Sequence, residues 1–115
     1  MVIDVVDQRN GNIVLSLRGR CDFKSRHAYQ NALDQALQCT PQSVILDFTD
    51  VTYIDSAGLG LLALSHKKLS ENAISLVIAA PSEPVGNILK LANMGKIFPI
   101  CDSLTAATQA TTTGR

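Results

Sequence analysis

Apolar residues recur along this chain at two spacings, and each change of spacing marks a new element. The first two runs, VIDVV and NIVLSLRG, are rich in β-branched residues and flank Asn10-Gly11, a dipeptide suited to a tight turn with positive φ. They predict a β-hairpin. From there the period lengthens: Phe23, Ala28, Ala32, Leu33, Ala36 and Leu37 lie at helical spacing, with Asp22 placed to cap the first turn. This helix should end before Thr40-Pro41. SVILDF, residues 43–48, is a short apolar run with little alternation, as expected of a strand covered on both faces.

A second helix is predicted on Leu59, Leu62, Ala63 and Leu69, running to about Ser70, with His66, Lys67 and Lys68 near its C-terminal end, where positive charge suits the helix dipole. AISLVIAA, residues 73–80, reads as another buried strand. Pro81-Ser82-Glu83-Pro84 then opens a third helix, with Val85, Ile88, Leu89 and Ala92 inward and Gly95 as its stop. IFPIC, residues 97–101, is a last strand in which Pro99 argues for an edge position or a strand end. Asp102-Ser103 caps a final helix of weak formers, and TTTGR frays. The order ββαβαβαβα predicts one α/β domain over residues 1–110, with a disordered tail at 111–115. Its sheet should be mostly parallel, with right-handed crossovers, an N-terminal hairpin at one side and helices packed on it.

Composition narrows the function. With 115 residues, 46 % hydrophobic and 17 % charged, the chain is an ordered globular domain with room for one core. Ten acids balance ten bases, which removes the electrostatic case for nucleic acid or an anionic membrane as the main partner. Cys21, Cys39 and Cys101 are odd in number and widely spaced, so neither a disulfide framework nor a metal site is expected. MVIDVVDQRN carries acids inside its apolar run and is no secretory signal; no run approaches membrane-spanning length. A cytoplasmic location without membrane insertion is expected. Neither GxGxxG nor GxxxxGK is present, and no cofactor is expected.

The chemistry gathers in YIDSAGLGLLAL, where a strand gives way to a helix. Ser56 there suits an N-cap, its oxygen accepting from amides two or three residues on. Gly58 and Gly60 are poor choices for a first helical turn, each costing about 1 kcal/mol relative to alanine. Close approach by another chain, or by another part of this one, would offset that cost. Three readings follow. Ser56 is only a cap, with the glycines letting the helix sit close to the sheet. Or it is a hydrolase nucleophile, which DSAGLG argues against: it is not GxSxG, and His27 and His66 show no path to a triad. Or it is a modified serine, whose phosphate would sit at a helix N-terminus, tolerated by the fold yet repelled by a docked partner beside Asp22 or Asp55.

These residues carry a resemblance. VILDFTDVTYIDSAGLGLL resembles the strand, acidic turn and DS[SAT]GLG helix start of the STAS domain, specifically of the stand-alone anti-sigma factor antagonists of bacteria. LRGRCD, residues 17–22, is similar to the family's LxGELD, and KLANMGKIFPI to the segment before its last strand. The resemblance implies a non-enzymatic partner switch. The unmodified protein would bind a serine kinase of the histidine-kinase-like ATPase fold, phosphorylation of Ser56 would break that complex, and a PP2C-type phosphatase would reverse it. It further implies a docking site of Asp22, Asp55, Ser56, Ala57, Gly58 and Gly60. Arg20-Cys21 stands where the family has Glu-Leu, reversing a charge beside that site. A second class stays open: a STAS subunit of a larger assembly, such as a lipid transporter or a stressosome-like complex, binding constitutively through the same surface.

Overall fold

The computed structural model describes residues 1–9 and 11–113, and of residues 6–9 and 110–113 the backbone alone. Its elements are β1 (Val2–Arg9), β2 (Asn12–Cys21), α1 (Arg26–Gln38), β3 (Ser43–Ile54), α2 (Ser56–Ser70), β4 (Ser75–Ala79), α3 (Glu83–Leu91), β5 (Ile100–Cys101) and α4 (Leu104–Thr113). The predicted order ββαβαβαβα holds. The strands form one sheet in the order β1-β2-β3-β4-β5, with β1 antiparallel to β2 and every later pair parallel. In the hairpin turn Gly11 takes φ +83°, while Asn10 lies outside the described residues. Of the expected tail, 111–113 fall within the backbone of α4 and 114–115 lie outside the described residues.

Sequential parallel strands joined by crossovers of one hand place the connecting helices on a common face. On that face Ile13, Leu15, Leu17, Val44, Leu46, Phe48, Leu76 and Ile78 of the strands meet Tyr29 and Leu33 of α1, Leu62 and Leu69 of α2, and Val85 and Leu89 of α3. Burying each such side chain contributes about 1.5–3 kcal/mol. The alternate strand positions Val14, Ile45, Val77 and Ala79 pack with Ala107 of α4 on the opposite face. Towards the hairpin edge that face carries Arg18, which donates to Asp4 at 2.8 Å across the hairpin. Inside the main core Tyr29 and Ser65 share a hydrogen bond of 2.7 Å, and Ser65 also donates to Leu61 O.

Four boundaries differ from expectation. β3 does not stop at Phe48 but runs to Ile54, because after register shifts its polar half still pairs with β2, placing Asp50 beside Arg18 and Tyr53 beside Arg20. The first helix starts as a 3-10 turn over Phe23–Ser25, and Phe23, expected in the core, is 69 % exposed. Ser25 takes the inward position instead, donating to Arg20 O and accepting from Asp22 N. α3 ends at Leu91, with the left-handed turn carried by Asn93 (φ 58°), so Gly95 is not its stop. The last strand keeps only Ile100–Cys101, since Phe98 drops into the core and Pro99 contributes just its carbonyl, which accepts from Ile78 N. Phe98 also meets His66 of α2 at 6.1 Å between ring centroids.

Candidate functional site

The C-terminal ends of β2 and β3 lie side by side, Cys21 beside Ile54, so the residues that follow them, Asp22 and Asp55, emerge together. Asp55 caps α2: its backbone is extended (φ −124°, ψ −171°), its carboxylate accepts from Gly58 N at 3.0 Å, and its carbonyl accepts from Leu59 N at 2.9 Å. The expectation of Ser56 as the cap is therefore corrected by one residue. The better anionic acceptor takes the cap, and Ser56 becomes the first residue of the helix. Its side chain is exposed, and its hydroxyl has no hydrogen-bond partner among the described residues. The amides of Ser56 and Ala57, in the first turn, have no intrahelical acceptor.

The two glycines separate. A Cβ on Gly58 would lie 2.2 Å from Cys21 O and 2.8 Å from an Ile54 side-chain carbon, so its bare α-carbon is what lets α2 sit against the end of β2. A Cβ on Gly60 would meet nothing within 4 Å, and Gly60 is exposed. One helical turn further, Leu64 is 63 % exposed, so Ser56, Gly60 and Leu64 form an outward stripe at spacing four.

Asp22 is fixed by a capping box around the 3-10 turn: its carboxylate accepts from Lys24 N at 3.0 Å, and its own N–H goes to Ser25 Oγ. Both aspartates press on Cys21. Burial first, then the charges of Asp55 and Asp22, push its thiol up to about 12, so it stays protonated and inert at neutral pH.

Beside Asp22 stand residues the sequence reading left outside the site. The Arg20 guanidinium lies 3.9 Å above the Tyr53 ring, and its Nε is 3.5 Å from Asp22 Oδ2. With Phe23 they make an apolar and cationic margin to the carboxylates. Phe23 was missed because its spacing imitates a core position, and Tyr53 because the polar run TDVTY hides the end of a strand. A signal was present in the pairing of the LRGRCD and VTYID segments once both are read as neighbouring strand ends.

A cavity of about 520 Å³ lies elsewhere, between α3 and the segment around β5, with Glu83, Asn87, Lys90, Lys96 and Asp102 in its wall and none of the residues above. Among the described residues no cluster of histidine, cysteine or carboxylate side chains could hold a metal ion, and no helix is long and apolar enough to cross a membrane.

Comparison with known proteins gives one consistent result. Residues 5–107 match the family model of the STAS domain. A STAS-domain containing protein of Pseudomonas aeruginosa is 27 % identical over 101 residues, which is 87 % of this chain and 99 % of that protein. The anti-sigma-F factor antagonist RsfB of Mycobacterium tuberculosis is 24 % identical over 110 residues, covering 96 % and 89 %. The crystal structure of an anti-sigma factor antagonist from Mycobacterium paratuberculosis superposes with a TM-score of 0.79 at 26 % identity, covering 96 % of this chain and 93 % of that one.

Proposed function

The chain belongs to the STAS domain family, and from that premise we propose that it is a partner-switching regulator of the anti-sigma factor antagonist kind, controlled by phosphorylation of Ser56. The observation that carries this reading is the state of Ser56. It is exposed at the first position of α2, and Asp55 has taken the capping role that would otherwise occupy a serine hydroxyl.

In the unmodified state the partner is a serine kinase of the histidine-kinase-like ATPase fold. It docks on Asp22, Asp55, Ser56, Ala57 and Gly60, with Phe23 and Leu64 as exposed apolar contacts, whereas Gly58, expected in the docking site, is buried against Cys21 and only seats the helix. The kinase moves the γ-phosphoryl group of ATP to Ser56 Oγ, releasing ADP and the hydroxyl proton. The phosphate then adds nearly two negative charges beside two carboxylates. The helix N-terminus tolerates them, with the amides of Ser56 and Ala57 free to donate. A docked partner must desolvate them, and a buried unpaired charge costs several kcal/mol, so the complex opens. A PP2C-type phosphatase restores the hydroxyl. The role is regulated binding and no catalysis is assigned to this chain.

Incubation with the cognate kinase and ATP should give a singly phosphorylated chain by intact mass, and Ser56→Ala should remain unmodified. Stable co-purification of Ser56→Asp with the kinase would contradict the switch. A chain that stays unmodified and bound throughout would instead fit a constitutive subunit of a larger assembly.

A further inference from the structure

The unmodified site already contains a cation, Arg20, at the end of β2. Arg20 is held by two weak contacts: its guanidinium carbon lies 3.9 Å from the centre of the Tyr53 ring, and its Nε approaches Asp22 at 3.5 Å. Its terminal nitrogens make no hydrogen bond among the described residues, and the side chain is 63 % exposed. A guanidinium over an aromatic ring keeps its terminal donors, which form the planar fork suited to two parallel bonds to one carboxylate or phosphate.

The strand ends put the segment that carries Ser56 beside the one that carries Arg20, with Tyr53 paired to Arg20 and Ile54 to Cys21. Tyr53, on which Arg20 rests, is three residues ahead of Ser56 on the same chain segment. Asp55 N donates to Cys21 O, and that same carbonyl is what would block a Cβ on Gly58. The first turn of α2 is thus seated against the Arg20–Cys21–Asp22 segment itself.

We propose that Arg20 is the intramolecular receiver of phosphoserine 56: on modification it turns from Asp22 to the phosphate and clamps it to the end of β2. This rests on the reading of Ser56 as a phosphorylation site and adds how the off state is held. Phosphorylation then changes the docking surface twice. It adds negative charge at Ser56, and it withdraws from Asp22 the cation that partly neutralises it. Other charged groups nearby are Asp55, which stays engaged with Gly58 N, and the exposed Lys24 of the 3-10 turn and Arg26 and His27 at the start of α1.

The test uses the full chain with phosphoserine installed at position 56 during translation, so that no kinase is needed. The phosphate resonance is titrated by 31P NMR at low salt in the native background and in Arg20→Gln, Arg20→Lys and Lys24→Gln. The free phosphoserine value lies near 6, and a neighbouring guanidinium should hold the native phosphate about half a pH unit or more below its Arg20→Gln counterpart. Arg20→Lys should restore part of that difference, Lys24→Gln should leave it unchanged, and 0.5 M salt should shrink it. Equal titration in the native and Arg20→Gln backgrounds overturns the clamp and leaves the fork to a partner's carboxylate. A shift that follows Lys24 overturns it as well. Since the phosphate is installed directly, a chain that its kinase never modifies would refute the switch without disturbing this result.

Discussion

The two glycines of DSAGLG should respond in opposite directions to the same substitution, and the size of the difference can be worked from the structure. In Gly58→Ala the new methyl carbon falls 2.2 Å from Cys21 O, well inside the 3.0 Å below which such contacts are essentially never found. The atom it strikes is a backbone carbonyl at the end of a paired strand, accepting from Asp55 N, so it has little freedom to retreat. Overpacking costs about 1–3 kcal/mol, and the gain in helix propensity returns about 1 kcal/mol. With an unyielding neighbour the upper end applies, for a net loss of about 2 kcal/mol. Gly60→Ala meets no atom within 4 Å, so the propensity gain stands alone, about 0.5–1 kcal/mol of added stability. The pair should therefore straddle the wild type in melting temperature, at about 4 °C per kcal/mol for a domain of this size. Urea unfolding decides it: the midpoint should fall for Gly58→Ala and rise for Gly60→Ala, with an unchanged slope in both. If Gly58→Ala is as stable as Gly60→Ala, the close seating of α2 on β2 is wrong.

Other consequences follow from the same neighbourhood. Asp55→Ala should lose the cap of α2, about 1 kcal/mol in thermal or urea unfolding, whereas Asp55→Asn keeps a capping oxygen and should stay near wild type. Retained stability with weakened kinase binding in Asp55→Asn would then isolate the carboxylate's part in docking. Cys39 is exposed and should react with a thiol reagent at once, while Cys21 should react only after unfolding; equal rates in the native chain would contradict its burial. The same thiol gives the protein an alkaline limit. Its pKa rises from 9.0 in the unfolded chain to about 12 when folded, so between those values the unfolded state has lost a proton that the native state keeps. Stability from this group is complete below pH 9 and falls by up to about 1.4 kcal/mol per pH unit above it, and unfolding midpoints at pH 8, 9 and 10 measure the slope. The buried Tyr29 hydroxyl, also pushed up by burial, steepens that fall above pH 10.

The periodicity of the chain was enough to recover the element order and the mostly parallel sheet with its hairpin, because both faces of β3 and β4 are apolar and the helices carry clear stripes. It failed where a polar side chain does an apolar residue's job or the reverse. Ser25 and Ser65 are buried through hydrogen bonds that no hydropathy pattern reveals, and Phe23 is exposed at a spacing that reads as core. The ends of β3 and α3 were misplaced for a related reason: pairing with β2 extends a polar strand, and Asn93 adopts a conformation usually left to glycine. At the candidate site DSAGLG was visible as an anomaly of composition. Which residue caps and which is free depends on backbone angles, and only the structure separates Asp55 from Ser56. It also divides the glycines, one explained by contact within the chain and the other open to an approaching partner.

The most direct test of the central claim is the affinity of the cognate kinase for this chain in two forms, with serine or with phosphoserine at position 56, measured by calorimetry at physiological salt. The switch predicts tight binding to the serine form and a loss of at least about 100-fold on modification, the equivalent of about 2.7 kcal/mol. Equal affinity for both forms would contradict it.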